Sequence, residues 1–141
     1  MRVIICGSRI IKGSNGMVHV MDGIQACPVE LTEVITGSAE GVDELADVWA
    51  KEAGIDRVVF PANWKGKKKA AGYKRNQKMA WYAAIFDNQV ATEDGIGGPE
   101  PIEDKLKGAC LAVWDGKSVG TKHMIGLAEE AGLPVYVHLV E

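Results

Sequence analysis

The sequence predicts a three-layer α/β/α domain around a five-stranded, mostly parallel sheet. Short apolar, β-branched runs recur along the chain, at Val3–Cys6 (VIIC), Glu33–Thr36 (EVIT), Arg57–Phe60 (RVVF), Leu111–Trp114 (LAVW) and Val135–Val140. Such runs read as strands of a parallel sheet buried on both faces. Stretches with apolar residues at three-to-four spacing separate most of them, as amphipathic helices do. Strands that alternate with helices in this way require right-handed crossovers, and therefore helices on both faces of the sheet.

Each element follows from its own residues. Gly7 ends the first strand. Met17 to Cys27 can form a helix with Val20, Ile24 and Cys27 inward, closed by Pro28, after a loop-like stretch from Lys12 to Gly16. The second strand stops at Gly37. Val42, Leu45, Ala46, Trp49 and Ala53 repeat at helical spacing, and Gly54 supplies the C-terminal stop. Pro61 stops the third strand. A third helix is expected from about Tyr73 to Phe86, and a fourth from Gly120 to Ala131, ended by Gly132 and Pro134. The segment 88–107 breaks the rhythm. It is acidic, rich in glycine and proline, and reads as an inserted surface loop or a lid over the site. No internal repeat or second core is evident, so residues 1–141 read as one domain.

A chain of 141 residues with 47% hydrophobic and 25% charged residues can bury a core without disulfides or metals. A net charge of -3 excludes a global basic field. Charge is nevertheless uneven: seven basic residues and no acid lie between Lys65 and Lys78, and six acids and no base between Asp87 and Asp104. Cys6, Cys27 and Cys110 are odd in number and lack metal-ligand spacing, which favours buried free thiols. His19, His123 and His138 are not spaced as ligands either, and His123 reads as structural. No metal and no cofactor is expected. No run is long enough for a membrane span, and the start is too short for a signal peptide, so a reducing cytoplasm is the expected compartment.

Ligands of open parallel sheets sit beyond the carboxyl ends of the strands. Gly7-Ser8-Arg9 follows the first strand. Gly37-Ser38-Ala39-Glu40-Gly41 follows the second, with Asp43 at the helix start. Pro61, Asn63 and Trp64 follow the third, and Asp115-Gly116-Lys117-Ser118-Val119-Gly120-Thr121 the fourth. Glycine allows close backbone approach, and helix-start amides attract anions. Ser8, Ser38, Ser118 and Thr121 add hydroxyls, and Arg9 adds a fork suited to phosphate or carboxylate. Arg75 and Asn76, placed at the opening of the third helix, can reach the same crevice. Singly, each serine is an ordinary helix cap and each cation a solvated side chain; three such loops at strand ends read together as an anion site. Trp64 can stack on a base or pack on the third helix. Lys65, Lys67, Lys68 and Lys69 form a solvated loop or a gate for anions. Trp81 and Tyr82 can pair two subunits in a homodimer or cover the sheet. GxGxxG, GxxxxGK[ST] and GxSxG are all absent.

Taken together, VIICGSR, TGSAEGVDELADVWAKEAG, FPANWKGKKKAAGYKRNQKM and AVWDGKSVGTKHMI resemble the SLOG superfamily. The likeness is to its YspA/YpsA-related branch, a Rossmann-like group common in bacteria and phages and related to DprA-type proteins. The resemblance implies a phosphorylated, nucleotide-derived ligand such as a nucleoside phosphate, ADP-ribose or a NAD-derived signal. It assigns Gly7, Ser8, Arg9, Gly37, Gly41, Asp43, Arg75, Asn76, Asp115, Gly116, Ser118, Gly120 and Thr121 to the site. The related Lonely Guy phosphoribohydrolases carry PGGxGTxxE in the fourth loop. Here Gly120 and Thr121 match, but Met124 stands at the glutamate position, and a thioether cannot act as a general base.

Three functions are therefore expected in turn. The first is a sensor or sequestering protein that binds a nucleotide-like small molecule. The second is a nucleotide hydrolase of the N-glycosidase class, with Asp115, Glu40 or Asp43 as its carboxylate. The third is a single-stranded nucleic-acid binder that uses the basic stretch.

Overall fold

The computed structural model describes residues 1–37, 39–61, 68–84, 90–92, 95–97 and 108–140. The central sheet contains β1 (Arg2–Gly7), β2 (Glu33–Thr36), β3 (Asp56–Val59), β6 (Ala109–Trp114) and β7 (Val135–Leu139). Their order is β3-β2-β1-β6-β7 and every pairing is parallel. The winding reverses between β1 and β6, so a switch-point crevice opens at the C-terminal ends of these two strands. A short antiparallel hairpin, β4 (Val90–Thr92) with β5 (Gly95–Gly97), lies within the stretch read as an insertion. The other residues of 88–107 lie outside the described residues.

Alternation along the central strands divides the core. Val3, Ile5, Val34, Leu111 and Val113 pack beneath α1 (Gly13–Ala26) and α2 (Val42–Ala53). Ile4, Cys6, Ile35, Cys110 and Ala112 pack beneath α3 (Lys68–Ala84) and α4 (Val119–Glu130). Successive side chains of a strand point to opposite faces, so a run such as VIIC feeds both layers at once. The edge strands depart from the expectation of full burial: Val59, Val137 and Leu139 are exposed. All three cysteines are buried free thiols, with Cys6 Sγ 3.9 Å from Cys110 Sγ.

Two helices begin earlier than the sequence suggests. The stretch from Gly13 to Gly16 is the first turn of α1 rather than a loop. Its residues are weak helix formers, but a side chain at Gly16 would meet Leu45 Cδ1 at 2.8 Å, so contact with α2 decides the conformation. α3 begins at Lys68 rather than Tyr73, because Lys68-Lys69-Ala70-Ala71 are good helix formers and Gly72 does not interrupt them.

Gly7 is fixed by packing. A Cβ there would lie 2.1 Å from Val113 O and 2.6 Å from a Val42 methyl. Gly126, inside α4, faces open space. Gly7→Ala is expected to lower stability by about 3 kcal/mol. Gly126→Ala is expected to raise it by up to about 1 kcal/mol, as the helix loses a flexible residue. Urea denaturation midpoints measure both; a neutral Gly7→Ala would contradict the close approach of β1 and β6.

Candidate functional site

At the switch point, Ser8 and Asp115 clasp the ends of β1 and β6. Ser8 is 1% exposed, and its amide donates to Val113 O at 3.2 Å. Its hydroxyl donates to Asp115 Oδ1 at 2.8 Å and accepts from Asp115 N at 3.0 Å. The same Oδ1 accepts from Lys117 N and Ser118 N, both at 2.9 Å. The amides of Lys117 and Ser118, then the Ser8 hydroxyl, hold the Asp115 carboxyl below the usual carboxylate range. It is therefore ionised, with one oxygen fully engaged, and Ser8 has spent its hydroxyl inside the protein.

That clasp delivers the chain to the start of α4. Ser118 occupies the N-cap position but makes no capping hydrogen bond; its hydroxyl instead accepts from Thr121 Oγ1 at 3.1 Å. The amides of Val119, Gly120 and Thr121 have no acceptor among the described residues. Nothing lies within 4 Å of where a Cβ of Gly120 would be. Uncapped first-turn amides beside open space carry partial positive charge and suit an anion.

Arg75 and Asn76 lie in the interior of α3, not at its opening as the sequence suggests. Arg75 Nη1 donates to Gly37 O at 2.7 Å and Nε donates to Asn76 Oδ1 at 3.1 Å. The guanidinium lies so close over Gly37 that a Cβ there would be 2.7 Å from Nη1. Asn76 is 5% exposed; its Nδ2 reaches Gly120 O at 3.4 Å and His123 Nδ1 at 3.1 Å. An amide nitrogen only donates, so His123 Nδ1 accepts and the ring proton is assigned to Nε2. Burial also holds the His123 pKa below its ordinary value, partly opposed by Glu130. The His123 ring stacks on Tyr73 with centroids 4.0 Å apart.

Asp43, in the first turn of α2, is 6% exposed. Its Oδ2 accepts from Gly37 N at 3.1 Å and Ala39 N at 3.2 Å. Burial pushes its pKa up from 3.8 to about 6, against the opposing pull of Arg75, the two amides and Arg9. Gly41 precedes it with φ +84°, and a Cβ there would lie 2.5 Å from Ser8 O, so only glycine fits. Arg9 and Glu40 are exposed, as is Gly116 in its turn. Ser38, Asn63, Trp64, Lys65 and Lys67 lie outside the described residues.

The structure thus brings together Ser8 with Asp115 and Ser118, Gly37 with Asp43 and Arg75, and Asn76 with Gly120. His123, read from sequence as structural, belongs to the last group. Its partners Tyr73 and Asn76 sit on another helix, so no local pattern marks it. Thr36, at the end of β2, carries no sequence signal for the site; its hydroxyl is buried without a hydrogen-bond partner among the described residues. Among the described residues no cluster of three or more His, Cys, Asp or Glu could hold a metal, and no helix is long and apolar enough to cross a membrane.

The Asp43 pKa has a consequence for stability. A carboxyl whose folded pKa lies above its unfolded value binds more protons when folded. It therefore weakens folding as pH rises from 3.8 to about 6. The full effect is about 3 kcal/mol. Asp43→Asn removes the titration and keeps an acceptor oxygen for the loop. Urea denaturation should show Asp43→Asn gaining roughly 2 kcal/mol on the parent protein between pH 4.5 and pH 7.5. A variant that loses ground over that interval would refute the assignment.

The chain is similar to known proteins in both sequence and fold. Residues 1–66 match the YAcAr family, described as the YspA, cpYpsA-related SLOG family. The Gene 61 protein of Mycobacterium phage D29 is 31% identical over 140 residues, covering 95% of this chain and 93% of that protein. Among solved structures, DNA processing protein A (DprA) from Streptococcus pneumoniae superposes with a TM-score of 0.54 at 20% identity. That superposition covers 96% of this chain and 49% of DprA, so the chain spans about half that protein's length. At such low identity the likeness concerns the fold, and it supports the Rossmann-like α/β architecture. The strand order, the loops at the sheet's C-terminal edge and these matches lead to one assignment: the chain belongs to the YspA, cpYpsA-related SLOG family.

Proposed function

We propose that this protein binds a phosphorylated, nucleotide-derived ligand in the crevice beyond β1, β2 and β6, as a sensor or sequestering protein. The observation that carries this reading is the open first turn of α4. With no side-chain cap from Ser118, the amides of Val119, Gly120 and Thr121 have no acceptor among the described residues, while Asn76 reaches Gly120 O from α3 beside Arg75. Arg9 is exposed on the facing loop. Arg9 and Arg75 are matched in number by the Asp43 and Asp115 carboxylates at this end of the sheet, so the attraction for an anion rests on the open amides and the Arg75 fork rather than on net charge.

Met124 favours binding over hydrolysis of the phosphoribohydrolase kind. It is 1% exposed and packs in the core beneath α3 and α4. Asp43, with a pKa of about 6, is the carboxyl best poised for proton transfer near neutrality, and it supports a hydrolase as the second reading. Asp115 is less suited, because three donors stabilise its ionised form. The name of the structural neighbour, a DNA processing protein, motivates the single-strand reading.

Calorimetry with nucleoside monophosphates, ADP-ribose and NAD tests the proposal. At least one is expected to bind. Arg75→Met should weaken that binding ~10-fold or more, since charge-assisted hydrogen bonds to phosphate are lost. A melting curve controls for the lost bond to Gly37 O. No heat from any of these ligands would overturn the proposal. Product from a nucleoside monophosphate that disappears in Asp43→Asn would establish the hydrolase instead.

A further inference from the structure

We propose that Tyr73, backed by His123, is the platform on which the nucleobase of the ligand stacks. The inference rests on the anion-site reading above and assigns the ligand's second half. Tyr73 is 39% exposed, with its ring stacked on His123 at 4.0 Å and 30° between planes. One face is thus held by a neighbour, and the ring keeps little rotational freedom to lose when its outer side is covered. The imidazole behind it is fixed in turn by the Asn76 amide, whose nitrogen also reaches Gly120 O.

This chain of contacts ties the aromatic pair to the helix turn that offers open amides. Gly120 and His123 are three residues apart in α4, a rise of about 4.5 Å, which a ribose can bridge. A phosphate at the first turn therefore leaves its base at the height of Tyr73. Two further apolar side chains are exposed just beyond the strands that bound the crevice: Ile10, two residues after Ser8, at 72%, and Val119, the first residue of α4, at 67%. An exposed aromatic ring already backed on one face is apolar surface that a base can cover. A planar, weakly polar ring next to an anion matches that surface, and a bare phosphate or sugar phosphate does not.

Calorimetry with adenosine monophosphate, ribose 5-phosphate and a short oligodeoxyadenylate separates the alternatives. Adenosine monophosphate is expected to bind ~10-fold or more tightly than ribose 5-phosphate. Tyr73→Ala should erase that advantage while leaving ribose 5-phosphate affinity within about twofold, and Tyr73→Phe should keep the advantage. Melting curves confirm that each variant is folded. Equal affinities in the parent protein, or equal weakening of both ligands by Tyr73→Ala, would overturn the platform and leave the anion site standing. Failure of every ligand to bind would overturn both. Tighter, salt-sensitive binding of the oligodeoxyadenylate, weakened by Tyr73→Ala, would support the platform with a strand rather than a free nucleotide as the source of the base.

Discussion

The Asp115 carboxylate joins the two central strands where the chain changes its direction of winding. At the end of a parallel ladder, backbone groups run out of partners, and buried ones must be satisfied by side chains. Ser8 and Asp115 do this reciprocally, one hydroxyl accepting an amide and donating to a carboxylate. Asp115 then takes the amides of Lys117 and Ser118, which turns the chain into α4. Because this turn is shaped from upstream, Ser118 is not needed as a cap, and its hydroxyl accepts from Thr121 instead. A missing cap costs about 1 kcal/mol. The arrangement persists with three amides left open at the crevice, and an anion there would satisfy them.

A second constraint comes from the other side of β1. Gly37 donates its amide to Asp43 and its carbonyl accepts from Arg75, so one glycine lies between a buried carboxyl and a half-buried guanidinium. Arg75 stays a cation although burial lowers its pKa, because Asp43 opposes that shift. Both of its engaged donors go to neutral oxygens, on Gly37 and Asn76, so its positive charge is not discharged by a hydrogen-bonded carboxylate. Arg9 lies close enough to influence both groups, and with Asp115 counted the two guanidinium groups face two carboxylates at this end of the sheet. The buried Asp43 carboxylate anchors the β2–α2 loop through the Gly37 and Ala39 amides.

The fold was legible because strand runs, helix periodicity and stop residues all agreed. The loops at the strand ends were legible as a set for the same reason: Gly7, Gly37, Gly116 and Gly120 mark where strands stop and chain turns. What each residue does there was not legible. Gly7 and Gly41 are glycines because Val113 O and Ser8 O crowd them, a cross-strand and a cross-loop contact that no local pattern records. Ser8 looked like a donor for a ligand and instead clasps Asp115. The start of α3 lies at Lys68 rather than near Tyr73, since the four residues before Gly72 favour helix. Tyr73 and His123 are far apart in sequence and meet only because α3 packs on α4, so their pairing depends on tertiary structure alone.

The faces of α4 explain why Met124 bears on function. Thr121, Met124 and Ala128 recur at three-to-four spacing and are all buried, so position 124 belongs to the face directed into the core. Gly120 and His123 lie on the adjoining face, where Asn76 reaches both. The first two turns of this helix therefore offer the crevice backbone amides, an amide-bound carbonyl and a neutral imidazole, with no carboxylate among them. A carboxylate at position 124 would have to be buried among Met79, Ala80 and Ala128 or turn the helix to escape, and an unpaired buried charge is costly. In the hydrolase reading, proton transfer would fall to α2, where Asp43 is tied to the Gly37 and Ala39 amides. In the proposed function this helix holds the ligand through its backbone amides, and a hydrolase reading would have to draw its carboxylate from across the crevice.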